Sequence, residues 1–259
     1  MLFTSLVIIL FLIILTLFIG YFIRKRERKK RAFLENNSVQ LSQVQKISTK
    51  SLFENSTEIV TAIIVSISKL YFLSILNFGK NSDRETSQVK KDIKELNHKI
   101  TNYKKSLFIT IRALDENELE SGHFYVQILD SVSDACNCLD TLFKPISEHL
   151  ENNYPTLPKD QIDELNRFNE KMSEYFNYSI NILKNNRFES MPDLNKLRDE
   201  IINQTVYLKK NQIQFLKKEG KGTKVSLVFL ELMSESKNLA IITSNVLEAQ
   251  REFYKHMLS

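Results

Sequence analysis

One eleven-residue pattern occurs twice in this chain and narrows what it can fold into. Leu129-Asp-Ser-Val-Ser-Asp-Ala-Cys-Asn-Cys-Leu139 and Leu230-Glu-Leu-Met-Ser-Glu-Ser-Lys-Asn-Leu-Ala240 both read Leu-acid-x-x-Ser-acid-x-x-Asn. Asp130, Asp134 and Asn137 fall on Glu231, Glu235 and Asn238, an offset of 101 residues (231 less 130). The same offset carries Ile100 onto Ile201, Asn102 onto Asn203 and Leu107 onto Leu208. Agreement at one offset over about 40 residues marks a duplicated unit.

The duplicated unit is helical. The 259 residues include only 5 Gly and 4 Pro, and so few turn-formers imply few, long elements and an all-α chain. No alternating strand pattern competes. Net charge is +5, but Arg24-Lys-Arg-Glu-Arg-Lys-Lys-Arg31 alone holds seven positive charges and one negative, leaving the rest near −1. The basic balance therefore reports one local cluster and gives no reason to expect a nucleic-acid partner. Cys136 and Cys138, the two cysteines, point about 200° apart on a helix and can neither pair nor chelate one ion. They fit a reducing compartment.

Leu2 to Ile23 carries no charge. A run of about 22 residues spans a hydrocarbon core of ~30 Å. It lacks the basic n-region and small-residue cleavage site of a signal peptide, so residues 1–23 read as a single membrane anchor. The basic cluster in the linker 24–35 puts the following chain in the cytoplasm and the N-terminus outside, at a bacterial inner membrane. Anionic lipid is a second use for those charges.

From Asn36 to Phe78 a long helix begins polar and turns strongly apolar. Ile59 to Phe78 has the length of another span, yet Lys69 sits at its middle, where a charge costs about 3 kcal/mol in a bilayer. A buried bundle helix is expected instead, ended by the turn Gly79-Lys-Asn-Ser-Asp-Arg84. A second helix, about 84–114, repeats Val89, Ile93, Leu96 and Ile100 at three and four. A polar break over 115–122 precedes a third, about 123–150, with its seam along Tyr125, Ile128, Val132, Ala135, Leu139 and Leu142. The prolines of Asn152-Asn-Tyr-Pro-Thr-Leu-Pro158 close this first unit. The second repeats the plan: a helix over 159–184, another opening at Ser190-Met-Pro with Ser190 as cap, a hinge at Gly220-Lys-Gly222, and a last helix over about 223–257. The expectation is two tandem three-helix repeats, 36–151 and 159–258.

On the third helix of each unit, Asp130, Asp134 and Asn137, and likewise Glu231, Glu235 and Asn238, share one face opposite the apolar seam. Carboxylates at i and i+4 are suited to a hard or borderline cation; a solvated acidic face is the commoner fate of such residues. Glu54 and Glu58 have the same spacing and are candidates to contribute from a neighbouring helix. A di-iron centre would need Glu-x-x-His pairs facing inward. Glu95/His98 face away from their seam, and Glu120/His123 straddle Gly122 in a turn. Without a phosphate loop, nucleophile elbow or paired metal-ligand histidines, the chain reads as a binding protein and not an enzyme. His149 and His256 read as surface residues.

Paired three-helix units with an acid-x-x-x-acid motif and a following Asn on each third helix resemble the PhoU-like phosphate regulators. Val225-Ser-Leu-Val-Phe-Leu-Glu-Leu-Met-Ser-Glu-Ser-Lys-Asn-Leu239 is the stretch most like them. Such a domain also forms the cytoplasmic tail of bacterial sodium-phosphate cotransporters, directly after a membrane helix. The family's motif centre, Glu-Arg-Ile-Gly-Asp, is here Asp-Ser-Val-Ser-Asp and Glu-Leu-Met-Ser-Glu, without the Arg and Gly. The resemblance implies iron, magnesium or another divalent metal at Asp130, Asp134, Asn137, Glu231, Glu235 and Asn238. It also implies a phosphate transporter or sensor kinase as partner and a role in phosphate uptake; self-association into a homo-oligomer is compatible with it. The other readings are a membrane-anchored helical scaffold unrelated to phosphate and a severed piece of a split cotransporter.

Overall fold

A computed structural model describes residues 47–82, 85–114, 118–219 and 223–259. The expected anchor (1–23), the basic linker (24–35), the polar start of the first long helix (36–46) and the Gly220–Gly222 hinge lie outside the described residues. Among those described, the chain is all-helical. Its elements are α1 Thr49–Lys80, α2 Thr86–Arg112, α3 Leu119–Glu151, α4 Lys159–Asn185, α5 Met191–Glu219 and α6 Thr223–Leu258, with a 3-10 turn, Phe188–Ser190, before α5.

Residues Ile47–Ser259 form one compact unit. The apolar stripes decide who packs on whom. Val89, Ile93, Leu96 and Ile100 of α2 are buried, as are Ile128, Val132, Ala135 and Leu139 of α3 and Leu165, Phe168, Met172 and Phe176 of α4. α3 lies along α6, and α1 touches α3, α4 and α6. These four make the centre, with α2 outside against α1 and α3 and α5 outside against α4 and α6. α3 and α6 run antiparallel: Ser121 meets His256 near one end, and Cys138 meets Glu235 further along. Both three-helix sets share one apolar core.

α1 is long and apolar enough to cross a membrane, but half of its most apolar stretch is buried in the bundle. Lys69 is exposed, so it needs no partner in an apolar interior. Ile47 and Ser48 do not continue α1 upstream. Ser48 is extended and its Oγ accepts from the Ser51 N–H at 3.3 Å, while the Ile47 N–H donates to the Ala113 carbonyl at 3.2 Å.

A left-handed asparagine follows three of the helices, and after α1 it takes the place of the turn expected at Gly79. Gly79 lies inside α1; the left-handed stop is Asn81 (φ 49°), with the Ser82 N–H donating to the Asn77 carbonyl at 3.1 Å. α4 ends the same way at Asn186 (φ 50°), with the Arg187 N–H on the Ile182 carbonyl at 3.0 Å, and Asn153 (φ 52°) follows α3. After glycine, Asn tolerates this conformation best. α3 also begins earlier than expected, so Glu120 and His123 lie within its first two turns instead of a loop. Gly122 permits this close entry, since a Cβ there would come within 3.1 Å of Leu114 Cδ1.

α6 supplies the buried polar contacts. Tyr71 of α1 bonds Ser236 at 2.9 Å, and Tyr175 of α4 donates to the Ala240 carbonyl at 2.7 Å and contacts Ser244 at 2.8 Å. Gln212 of α5 donates to Ser226 at 2.7 Å, and Gln250 donates to Ser56 of α1 at 2.9 Å. Burial pushes both Tyr hydroxyls far above the usual phenol range, only partly opposed by their serine partners.

His149 is not a surface residue. It is buried, with the Phe78 ring at 5.3 Å and the Tyr154 ring at 5.7 Å. The end of α1 and the loop after α3 cover it, and helix periodicity carries no information about a covering loop. Burial lowers its pKa, partly countered by the Pro155 carbonyl.

Tyr175→Phe removes two buried hydrogen bonds and is expected to cost about 1–2 kcal/mol. In a unit of this size that lowers Tm by roughly 2–4 °C per kcal/mol, read by circular dichroism. For His149 the folded pKa lies below the unfolded value of 6.5, so its contribution is complete above that pH and is lost as pH falls below it. Denaturant melts at pH 7.5 and 5.5 should show wild type losing more stability than His149→Gln; equal losses would remove His149 from the account.

Candidate functional site

The inward seam of α3 turns the first acid motif outward, and Asp130, Asp134 and Asn137 are all exposed. Lys104 of α2 lies 2.8 Å from Asp130. Both side chains are open to water, so the pair contributes at most about 1 kcal/mol. The second copy departs from the outward placement expected of it. Glu231 is exposed, but Glu235 and Asn238 are half-buried, because α6 sits deeper in the bundle and meets α3 on this side.

At that contact the Cys138 thiol donates to the Glu235 carboxylate and to its backbone carbonyl, each at 3.4 Å, and Asn238 Nδ2 donates to the same carboxylate at 3.3 Å. Cys138 follows Asn137 directly and lies one turn beyond Asp134. The second motif thus meets α3 at Cys138, the residue after Asn137, whereas Asp130 faces α2 through Lys104. Burial, then the Glu235 carboxylate, pushes the Cys138 thiol well above its ordinary range, and burial pushes Cys136 up to about 12. Both cysteines are free and buried.

Among the described residues, no group of three or more His, Cys, Asp or Glu side chains is arranged to hold a metal ion. Asp130 is engaged by Lys104 and Glu235 by Cys138 and Asn238, so this geometry presents partnered carboxylates and not a closed ligand set. Glu54 and Glu58 line a separate groove between α1 and α4. Glu95 and His98 are exposed on α2, where His98 contacts Asn102 at 3.3 Å.

One constellation has no signal in the sequence, because its members are 135 residues apart. Ser121 Oγ lies 3.2 Å from His256 Nε2, and His256 Nδ1 lies 3.8 Å from Glu120. Hydroxyl, imidazole and carboxylate in series is the connectivity of an activated nucleophile. Ser121, however, is 0% exposed and also bonded to Thr49 at 2.8 Å. No substrate carbonyl can approach that oxygen, and the group instead ties the starts of α1 and α3 to the end of α6.

What the fold defines is an all-α bundle with a doubled acidic motif at its central helix pair. No family model matches the chain, and no curated protein matches it.

The buried thiols provide a check on the α3–α6 contact. In native protein at pH 8, neither Cys136 nor Cys138 is expected to react with iodoacetamide, whereas both should be alkylated in denaturant, as read by mass spectrometry. Rapid native modification of Cys138 would show that α3 and α6 do not stay closed at Glu235.

Proposed function

We propose that this chain is a membrane-anchored, PhoU-like accessory protein of phosphate transport, acting through protein contacts and not by catalysis. One observation carries the reading: the acid motif is duplicated in sequence, and its copies lie on α3 and α6, two helices packed along each other, with Cys138 beside Asn137 meeting Glu235. The resemblance of those motifs to the phosphate regulators points to phosphate, and the apolar run over 2–23 followed by the basic cluster supports a helical unit on the cytoplasmic side of an inner membrane. A phosphate transporter or its sensor kinase is the partner this chemistry fits.

The test is made with the full chain in its cell. Detergent extraction and affinity capture should recover a phosphate permease or sensor kinase, and deletion should change the rate of phosphate uptake. Unchanged uptake with no such partner would reject the reading in favour of a phosphate-independent scaffold. Metal is a separate part of the proposal. Asp130, Asp134 and Glu231 are exposed to solvent cations, and full-length protein equilibrated with iron or magnesium should retain metal that is lost in Asp130→Asn/Asp134→Asn/Glu231→Gln/Glu235→Gln. Equal metal content in both would leave those acids as a solvated face.

A further inference from the structure

The groove between α1 and α4 on one side and the outer face of α5 on another are each unpartnered within the described residues. α1 and α4 pack antiparallel: Gly79 lies by Ile162, and Lys184 reaches the level of Thr57 and Glu58. Along their seam run two hollows of about 620 and 610 Å³. Glu54, Glu58, Thr61, Val65 and Phe72 follow one another at intervals of three, four and seven on α1, so they form one stripe. Glu170, Glu174, Asn177 and Asn181 do the same on α4. The groove floor carries apolar groups that water does not favour, with Val65 42% and Phe72 41% exposed. Its walls carry Glu54, Glu58, Glu170 and Glu174, and Lys184 also lines it; Lys50 reaches Glu54 at 3.9 Å, and exposed Lys69 stands between Val65 and Phe72 on α1.

The outer face of α5 has the opposite character. Val206, Tyr207 and Ile213 are 61%, 59% and 49% exposed. Lys210 and Lys217 stand between and beyond them on the same stripe, which runs from Asn203 to Lys217 and holds no acid. At 1.5 Å per residue that stripe is about 21 Å long, against about 27 Å for the groove from Glu54 to Phe72. An apolar helix face with interspersed cations and an apolar groove walled by carboxylates are complementary in shape class, length and charge.

From this complementarity we infer that the α1–α4 groove receives the α5 face of a second copy of the chain. The contact is heterologous: groove to helix, so each copy still has one free groove and one free helix, and assembly proceeds to a ring or a row. It is independent of the phosphate reading, since it involves neither acid motif. The carboxylate walls disfavour an anionic membrane surface as the occupant.

The test uses full-length protein in dodecyl maltoside micelles, with Ala62→Cys in the groove of one preparation and Gln214→Cys on α5 of another. The buried Cys136 and Cys138 stay silent. A short bis-maleimide should yield covalent dimer in the mixture and little from either variant alone. Adding Glu170→Lys/Glu174→Lys to the Ala62→Cys chain should abolish that dimer, and adding Lys210→Glu/Lys217→Glu to the other chain should restore it. All these positions are on exposed or groove-lining surface, and helical circular dichroism confirms that each variant is folded. Absence of dimer in the mixture would overturn the inference. So would dimer from Ala62→Cys alone equal to that in the mixture, which would mean groove-to-groove pairing. Quenching of a Phe72→Trp variant by brominated phosphatidylcholine in reconstituted vesicles would likewise overturn it, by placing lipid in the groove.

Discussion

The closure of α6 against its neighbours is the constraint on which the rest depends. α6 touches α1, α3, α4 and α5, and among the large apolar side chains it buries, such as Phe229, Leu232 and Phe253, it also buries the small Ser226, Ser236, Ala240, Ser244 and Ala249. Small side chains let the neighbouring helices approach. Each buried serine then needs a partner, because a polar group removed from water without one costs about 1–3 kcal/mol. The partners come from three different helices: Gln212 of α5, Tyr71 of α1 and Tyr175 of α4. Every such bond fixes the axial position of one helix against α6, so apolar packing brings the helices together and the hydrogen bonds choose the register.

The same closure makes the two acid motifs unequal. The copies match in sequence, yet α3 keeps its acids in water while α6 carries Glu235 into contact with Cys138. A pattern duplicated in sequence has thus become one exposed stripe and one half-buried anchor. Any ligand that uses both motifs must compete with Lys104 for Asp130 and with Cys138 and Asn238 for Glu235. Of the four motif acids, Asp130 and Glu235 are already engaged by other groups of the protein.

Much of the fold was legible in the residues. The three-and-four spacing of Val89, Ile93, Leu96 and Ile100 placed the buried face of α2, and Tyr125 through Leu142 did so for α3, because helix geometry converts spacing directly into direction. Helix limits were less legible. Asn81, Asn186 and Asn153 took the stopping role usually given to glycine, and Gly122 entered a helix instead of a turn because a close approach to Leu114 required it. His149 was misplaced for a different reason: it is buried by a loop and by the end of another helix, and neither is visible from its own periodicity.

The sequence by itself determined the helical class, the duplicated pattern, the buried stripes of α2 and α3, and the residue types on offer at the motif. All of these follow from local spacing and composition, which every helix obeys whatever its neighbours. Tertiary structure alone decided which faces meet. It brought Cys138 of α3 onto Glu235 of the second motif, and it joined Ser121 to His256 over 135 residues. Among the described residues it also left the α1–α4 groove and the outer α5 face uncovered. Those outcomes depend on how the six described helices share one core, and no local pattern encodes that.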